Sequence, residues 1–326
     1  MLVRAAAALG LAIVLVVIQI PRGFAHTCTP DADIPITGTL LLPRGSGLER
    51  FHVREGRGET LPILPTNGVV SHVSRSHDGA RVALARFSRP DGDSLGGADI
   101  LISASEGGLP QQVIRRAAPG ELLTSPTWMP DGSIVFERSS VAGGAASSSI
   151  QRLEPNGANQ TIVDRGIAPS VSVDGRALAY VRSDRSDRLI HRVLESGTER
   201  VLMDDPGFLA LAFPRYSPDG EWVAFAAAGE PERSLGAGLP SRWLGLGVQP
   251  VHAHGVPWDI FAVRVADGHL RRLTHYYDDD PSVAWSPDGQ WLALLGGESM
   301  KVFSFAGDAY YCVSAVGGYG GFDWIE

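Results

Sequence analysis

Few residues of this sequence have the types and spacing that chemistry requires, and two of them are His252 and His254. On an extended segment both rings point to the same side, a geometry that suits two metal ligands. No third ligand is marked nearby, so the sequence assigns no metal site. We expect the segment Val248 to Trp258 to form a lid over one side of the fold, because long loops on a rigid scaffold often carry binding. His252, His254 and Trp258 are therefore predicted binding residues.

A second chemical pattern is the run Gly-Asp-Ser-Leu-Gly from Gly92 to Gly96, which matches the Gly-x-Ser-x-Gly motif of serine hydrolases. That motif works when a sharp strand-to-helix turn presents the serine. Here the run lies between two predicted strands and no helix follows it. We therefore interpret it as a turn, and we assign no catalytic residue.

Carboxylates recur just before predicted strands. If these strands all begin on one side of the fold, the carboxylates form a rim that would attract a basic partner or hold a cation such as calcium. The alternative is that aspartate is simply a common turn residue. We predict binding at five of them and assign no cofactor, with calcium or another divalent cation left open. The residues are Glu121 and Asp164, together with the five predicted binding residues Asp204, Asp205, Asp278, Asp279 and Asp280.

The sequence contains two cysteines, Cys28 and Cys312. Two cysteines in an exported protein favour a disulfide. The alternative is two unpaired thiols, with Cys312 as a small core residue. Export is predicted by the N-terminus, where one arginine, an uncharged stretch from Ala5 to Ile20 and small residues before position 26 are typical of a signal peptide over 1–25. An uncleaved membrane anchor is the alternative.

The elements that must position these residues follow from a repeated turn. Ser-Pro-Asp-Gly occurs at Ser217 to Gly220 and at Ser286 to Gly289, and looser copies end at Gly79, Gly132 and Gly175. Proline, aspartate and glycine suit successive positions of a tight turn. An alternating apolar run flanks each copy, so each is a β-hairpin. The shorter spacings fit the roughly 40–45 residues of a four-stranded propeller blade.

Five copies predict five blades, and the two chain ends supply a sixth. Three predicted strands begin at Ile34, Glu49 and Glu59 and lack an inner partner, which Gly321 to Glu326 would provide. We predict an all-β, six-bladed propeller over 26–326, closed by the C-terminal strand, with an insertion at 229–257. Closure protects strand edges that would otherwise promote aggregation.

These features resemble the TolB-like propeller family, also described as WD40-like or PD40 repeats. The resemblance rests on the Asp-Gly turns, on an aromatic residue three places before the aspartate, and on the run Arg271 to Thr274. It covers Ile34 to Glu326 and implies a six-bladed propeller. TolB itself carries an α/β domain before its propeller, and the stretch before Ile34 is too short for one. The resemblance therefore implies the fold and not the role of TolB. The aromatics Trp128, Tyr216, Trp285 and Trp324 are expected between blades.

The composition narrows the function further. The chain has 326 residues, 44% hydrophobic and 20% charged, with a formal net charge of −8. This negative charge argues against a nucleic acid partner. We expect a non-catalytic, exported binding or scaffold protein of the cell envelope, periplasmic, extracellular or anchored outside the membrane, that engages a protein or peptide. The alternatives are a lactonase-like hydrolase or lyase with a metal in the central channel, and a substrate gate for a separate peptidase chain.

Overall fold

The structure, a computed structural model, describes residues 28–61, 68–89, 96–142, 145–230, 258–275 and 278–325. Every regular element in these ranges is a β-strand, as the alternating pattern predicts. None of the described residues forms a helix long and apolar enough to cross a membrane. The predicted segment 1–25, the Gly-Asp-Ser-Leu stretch, His252 and His254 lie outside the described residues.

The described residues form 24 strands. In chain order these are β1 (Thr39–Arg44), β2 (Gly47–His52), β3 (Arg57–Leu61), β4 (Val69–Arg75), β5 (Arg81–Ser88), β6 (Gly97–Ala104), β7 (Gln112–Ile114), β8 (Leu122–Trp128), β9 (Ile134–Ala142), β10 (Ala145–Leu153), β11 (Asn159–Asp164), β12 (Ile167–Val171), β13 (Ala177–Ser183), β14 (Asp187–Val193), β15 (Glu199–Met203), β16 (Phe208–Tyr216), β17 (Trp222–Gly229), β18 (Trp258–Arg264), β19 (Leu270–Arg272), β20 (Ser282–Trp285), β21 (Trp291–Leu295), β22 (Met300–Ser304), β23 (Tyr310–Ser314) and β24 (Asp323–Trp324).

These strands make six antiparallel blades of four strands each within the described residues. Blade I is β24-β1-β2-β3, and blades II to VI are the successive groups of four from β4 to β23. Blades II and III are also joined by one parallel pairing, between Ala98 and Leu122. The first strand of each blade contacts the first strands of its two neighbours, in the order β24, β4, β8, β12, β16, β20 and back to β24. The six blades therefore close a ring around a central channel.

The Asp-Gly turns join the first two strands of their blades by a fixed hydrogen-bond pattern. In blade V, Asp219 Oδ1 accepts from the Glu221 amide and Ser217 Oγ accepts from the Trp222 amide, both at 2.9 Å. Gly220 has φ 73°, a conformation that glycine adopts without steric cost. The same two bonds recur in the turns that begin at Ser76, Ser172 and Ser286. The repeated motif is therefore a rigid, internally satisfied turn.

The aromatic position before each turn lies between blades, as predicted. Trp128, Tyr216, Trp285 and Trp324 are all buried. The Trp128 indole donates to the carbonyl of Ser74 in blade II at 3.1 Å, and the Trp285 indole donates to the carbonyl of Arg215 in blade V at 3.1 Å. Each tryptophan thus packs on the preceding blade and satisfies its polar group there.

The chain ends close the ring in the predicted way. Strand β24 pairs with β1, with Trp324 opposite Leu40 and Asp323 opposite Leu41. The paired segment is shorter than the predicted Gly321 to Glu326. Gly321, two residues before β24, pairs with blade II instead, where the Val73 amide donates to the Gly321 carbonyl at 2.9 Å. The C-terminal segment therefore contacts the blades on both sides of the closure.

The predicted disulfide is also present. Cys28 and Cys312 are bonded, with their Cα atoms 5.8 Å apart. Cys312 lies on β23, the outer strand of blade VI. The Asp31 amide donates to the Cys312 carbonyl at 2.9 Å, and the Asp31 carboxylate accepts from the Cys312 amide at 2.7 Å. The segment before β1 therefore covers the edge of blade VI, which protects an otherwise open strand.

The structure describes the first two residues of the predicted insertion 229–257. Strand β17 continues to Gly229, and Glu230 forms an ion pair with Arg272 at 2.5 Å, so both residues belong to blade V. Residues 231–257, which hold the remainder of the predicted insertion, lie outside the described residues.

Candidate functional site

The two faces of the ring differ. We call the side with the Asp-Gly turns the turn face, and the side where the chain passes from one blade to the next the connection face. The connection face includes residues 204–207 between β15 and β16 and residues 315–322 between β23 and β24. Since all first strands start there, the predicted rim of carboxylates belongs to the connection face.

Two of the rim carboxylates are buried and paired inside their own blades. Asp278 accepts from Lys301 Nζ at 2.7 Å, and the two side chains are 6% and 1% exposed. Glu121 accepts from Arg138 Nε at 2.5 Å, and these bonds hold the pKa of Glu121 below its usual value against the opposing effect of burial. Both charges are therefore compensated by a cation of the same blade.

The other rim carboxylates lie at the surface or in turns. Asp204 is exposed, and Asp205 Oδ1 accepts from the Gly207 amide at 2.9 Å. Asp279 Oδ2 accepts from the Tyr319 hydroxyl at 3.0 Å, and Asp280 adopts φ 45°. Among the described residues, no three His, Cys, Asp or Glu side chains form a group that could hold a metal ion.

Trp258, the third predicted residue of the lid segment, is buried at the start of β18, with 3% exposure. Its backbone exchanges both hydrogen bonds with Asp278, at 3.0 and 2.9 Å. Its indole belongs to the apolar cluster between blades V and VI. The structure thus brings Trp258 and Asp278 together, and it places the Trp258 side chain in the core.

Four of the six innermost strands share an irregularity halfway along the channel. The register shifts in β4, β8, β12 and β16, which is the mark of a β-bulge. In the last three, the residue before a proline has positive φ: Ser125 51°, Ala168 50° and Phe213 49°. For a bulky residue such as Phe213 this conformation costs on the order of 1–3 kcal/mol and is typical of functional sites.

The bulges bring His72 and Phe213 together across the channel. His72 is on β4 of blade II and Phe213 is on β16 of blade V, the opposite blade of the ring. Their ring centroids are 6.0 Å apart, so the two rings are in contact. The two rings therefore span the channel at this level and form an aromatic floor between its two faces.

Beyond this floor, toward the turn face, each first strand presents one side chain two places before the start of its turn. Four of these bond the next blade: Asp323 accepts from the Arg75 amide at 2.7 Å, Ser74 from the Trp128 amide and Ser170 from the Tyr216 amide, while Thr127 donates to a carbonyl of blade IV. The remaining two positions hold Arg215 and Ala284. We call these six residues the channel ring, and they are Asp323, Ser74, Thr127, Ser170, Arg215 and Ala284.

The Arg215 side chain extends from blade V to blade I, because the channel-ring residue of blade VI between them is the small Ala284. Past Ala284, its Nη2 donates to the carbonyl of Phe322 in blade I at 3.4 Å. Its Nε is buried and finds no hydrogen-bond partner. A guanidinium with an unsatisfied donor in a channel is a candidate ligand-binding group.

The charge of Arg215 and the enclosure by the ring determine the protonation of its neighbours. Burial, assisted by the positive charge of Arg215, lowers the pKa of His72 to about 3. Burial raises the pKa of Asp323, while Arg215 and the Arg75 amide act in the opposite direction. His72 is therefore neutral at physiological pH. Of His72 and Arg215, only Arg215 carries a positive charge.

Sequence reasoning missed His72, Phe213, Arg215 and Asp323. A signal was present in the repeat, since aligning the turns places Ser74, Ser170, Arg215 and Asp323 at one position. Arginine and aspartate depart from the small polar residues of the other blades at that position.

The connection face also exposes apolar side chains, near the start of two first strands and in the segment between β23 and β24. Val69 and Leu209 start the first strands of blades II and V and are 38% and 54% exposed. Val316 and Tyr319, which lead into β24, are 65% and 50% exposed. Exposed apolar residues grouped on one face are typical of binding surfaces.

Comparison with known proteins agrees with the architecture. No family model matches the sequence. The chain is 28% identical over 149 residues to the uncharacterized peptidase YuxL of Bacillus subtilis (strain 168), a match that covers 40% of the chain and 22% of that relative. The chain thus spans about a fifth of the length of this curated relative.

Solved structures match over most of the chain. TolB from Acinetobacter baumannii matches with a TM-score of 0.61 and 16% identity, covering 88% of this chain and 66% of that one. A putative TolB from Agrobacterium tumefaciens matches with a TM-score of 0.59 and 16% identity, covering 89% and 99%. A chain of the nidogen/laminin complex matches with a TM-score of 0.60 and 12% identity, covering 88% and 97%. Together with the six closed blades, these matches show that the protein has the fold of a TolB-like β-propeller.

Proposed function

We propose that this protein is a non-catalytic, exported binding or scaffold protein of the cell envelope, which engages a protein or peptide on its connection face. The observation that carries the proposal is the contact between His72 and Phe213, whose centroids are 6.0 Å apart. A channel spanned by side chains offers an aromatic floor to a partner. It does not offer the open passage that a substrate gate requires.

The charge in the channel supports the same function. Arg215 places a guanidinium beside His72 and Asp323, and its charge opposes a divalent cation at that level of the channel. This favours binding over the lactonase-like alternative, in which a channel metal performs the chemistry.

Export is supported by the disulfide between Cys28 and Cys312, because such bonds persist in oxidising compartments and are rare in the cytosol. A protein partner is supported by the exposed apolar residues of the connection face, and by the occurrence of the same fold in the nidogen/laminin complex. The match to YuxL covers too little of that relative to carry a peptidase activity.

The test is site-specific photo-crosslinking in the native cell. A photoreactive amino acid is placed at Leu209 or Val316 on the connection face. The matched controls are Val173 and Val193 on the turn face, which are also exposed apolar residues. We expect a discrete crosslinked protein from the connection-face positions and none from the controls. Equal crosslinking from both faces, or none from either, contradicts the proposal.

A further inference from the structure

A pocket of about 460 Å³ lies at the periphery of blade II, away from the channel. One wall is apolar and is made by Leu101, Pro110 and Val113 of the hairpin β6–β7. The other is polar and holds three arginines and one carboxylate: Arg86, Arg115, Arg116 and Asp99.

The carboxylate that lines this pocket hydrogen-bonds one arginine and lies within ion-pair distance of a second. Asp99 Oδ1 accepts from the Arg116 amide and Asp99 Oδ2 accepts from Arg116 Nη1, both at 2.9 Å. Arg86 Nη2 is 3.7 Å from the same carboxylate, and its Nε is buried without a hydrogen-bond partner. The Arg115 side chain is exposed and forms no ion pair with the described residues. Two guanidinium groups thus have unused donors facing one cavity.

Blade V provides a structural comparison for the Arg86 position of blade II, because Ala227 holds the equivalent position there. Strand pairing places Asp259 opposite Ala227 in blade V, as it places Asp99 opposite Arg86 in blade II. Arg272 of blade V pairs with Asp259 at 2.6 Å and with Glu230 at 2.5 Å. Among the described residues, two carboxylates thus surround one arginine in blade V, whereas the lining of the blade II pocket has one carboxylate and three arginines. The blade forms with alanine at this position, so Arg86 is not required by the architecture.

We propose that this pocket binds a small organic anion that carries two negative charges on one head group, as a phosphate monoester does. The head group accepts hydrogen bonds from Arg86 and Arg115, which satisfies the buried Nε and the excess positive charge. The body of the ligand lies against Leu101, Pro110 and Val113. This site lies at the outer strands of blade II, where the chain passes to blade III. It does not depend on the function proposed for the connection face.

The test is titration calorimetry of the full protein with phenyl phosphate as the probe. Benzyl alcohol has a similar body without the charge, and inorganic phosphate has the charge without the body. Arg86→Ala introduces the residue that blade V carries, and Arg115→Ala removes an exposed side chain, so both variants should fold. Arg185→Ala is the matched control, because Arg185 is exposed on blade IV, two blades away. Far-UV circular dichroism and the unfolding midpoint verify each variant.

We expect phenyl phosphate to bind with one-to-one stoichiometry, and each of Arg86→Ala and Arg115→Ala to weaken it by about tenfold or more, as loss of a charge-assisted hydrogen bond predicts. Arg185→Ala should change the affinity by less than about twofold. Absence of saturable binding by the wild-type protein overturns the proposal. Equal weakening by Arg185→Ala would overturn the role of Arg86 and Arg115. Equal binding of benzyl alcohol would overturn the role of the charge, and equal affinity for inorganic phosphate would overturn the role of the apolar wall.

Discussion

The rings of His72 and Phe213 come from opposite blades and meet at the centre of the propeller, with centroids 6.0 Å apart. The contact depends on bulges in the two first strands, and on the positive φ of Phe213. A small rearrangement of backbone in two strands thus closes a channel that six regular strands would leave open. Several measurable properties depend on this arrangement and on the contacts around it.

The lowered pKa of His72 makes stability depend on pH. Its pKa falls from 6.5 in the unfolded chain to about 3 in the folded protein, mainly through burial. Above pH 6.5 the ring is neutral in both states, so its contribution is fully present there. As the pH falls from 6.5 toward 3, only the unfolded state takes up the proton, and stability is lost at up to about 1.4 kcal/mol per pH unit. Urea unfolding of wild type and His72→Gln across this range should show a steeper loss for the wild type. The difference between the two stability curves reports His72 alone, because Asp323 and His191 are present in both proteins. Parallel curves would contradict the prediction.

Arg215 is the second cause of the low pKa of His72, so Arg215→Met should raise that pKa. Because burial is the larger cause and remains, the pKa should stay below 6.5. Titration of the imidazole signals by NMR measures the change. Arg185→Met, which alters an exposed arginine of blade IV, should leave the pKa of His72 where it is, and an unchanged value in Arg215→Met would show that the guanidinium does not act on the ring.

Gly320 is required for closure of the ring. It has φ 104°, and a Cβ at this position would lie 1.7 Å from the carbonyl oxygen of Ser71 in blade II. We expect Gly320→Ala to cost about 3 kcal/mol or more in the free energy of unfolding, because backbone on both sides must move. Gly45→Ala is the control, since Gly45 also has positive φ but nothing within 4 Å of the added Cβ, so about 1 kcal/mol is expected. Similar costs for the two variants in urea unfolding would rule out the steric explanation.

The buried pair of Lys301 and Asp278 connects β22 to the segment before β20. Lys301→Met leaves the Asp278 carboxylate buried without its cation and should cost about 3–5 kcal/mol. The double variant Lys301→Met with Asp278→Asn removes both charges and should recover part of this loss. Chemical denaturation of both variants measures the effect. A loss below about 1 kcal/mol in the single variant would mean that Asp278 gains water or another partner.

The disulfide encloses nearly all of the chain that follows Cys28, with a sequence separation of 284 residues. The chain-entropy description gives roughly 5 kcal/mol as an upper value for a loop of this length. Cys28→Ser or reduction should therefore lower the free energy of unfolding by several kcal/mol, and it should also loosen the segment that covers β23. Thiol titration of unfolded, unreduced protein should find no free thiols, and two thiols after reduction. Two thiols before reduction would contradict the bond.

The sequence alone determined the architecture and its closure. The Asp-Gly turn recurs in five blades and the aromatic before it in four, because each blade must solve the same packing problem. The pairing of Trp324 with Leu40, and the bond between Cys28 and Cys312, follow from joining the two chain ends in one ring. These are properties of local pattern and topology, and a single sequence carries both.

The tertiary structure alone decided which polar side chains meet. Asp278, expected on the rim, lies buried against Lys301, since that depends on how β22 packs beneath the connection to β20. His72 and Phe213 are 141 positions apart, and no local pattern marks a contact across a channel. Arg86 and Ala227 hold equivalent strand positions, and only the structure shows that Arg86 faces a cavity with an unused donor. Strand periodicity specifies the face on which a side chain lies, whereas its partner is specified by the position of every other blade.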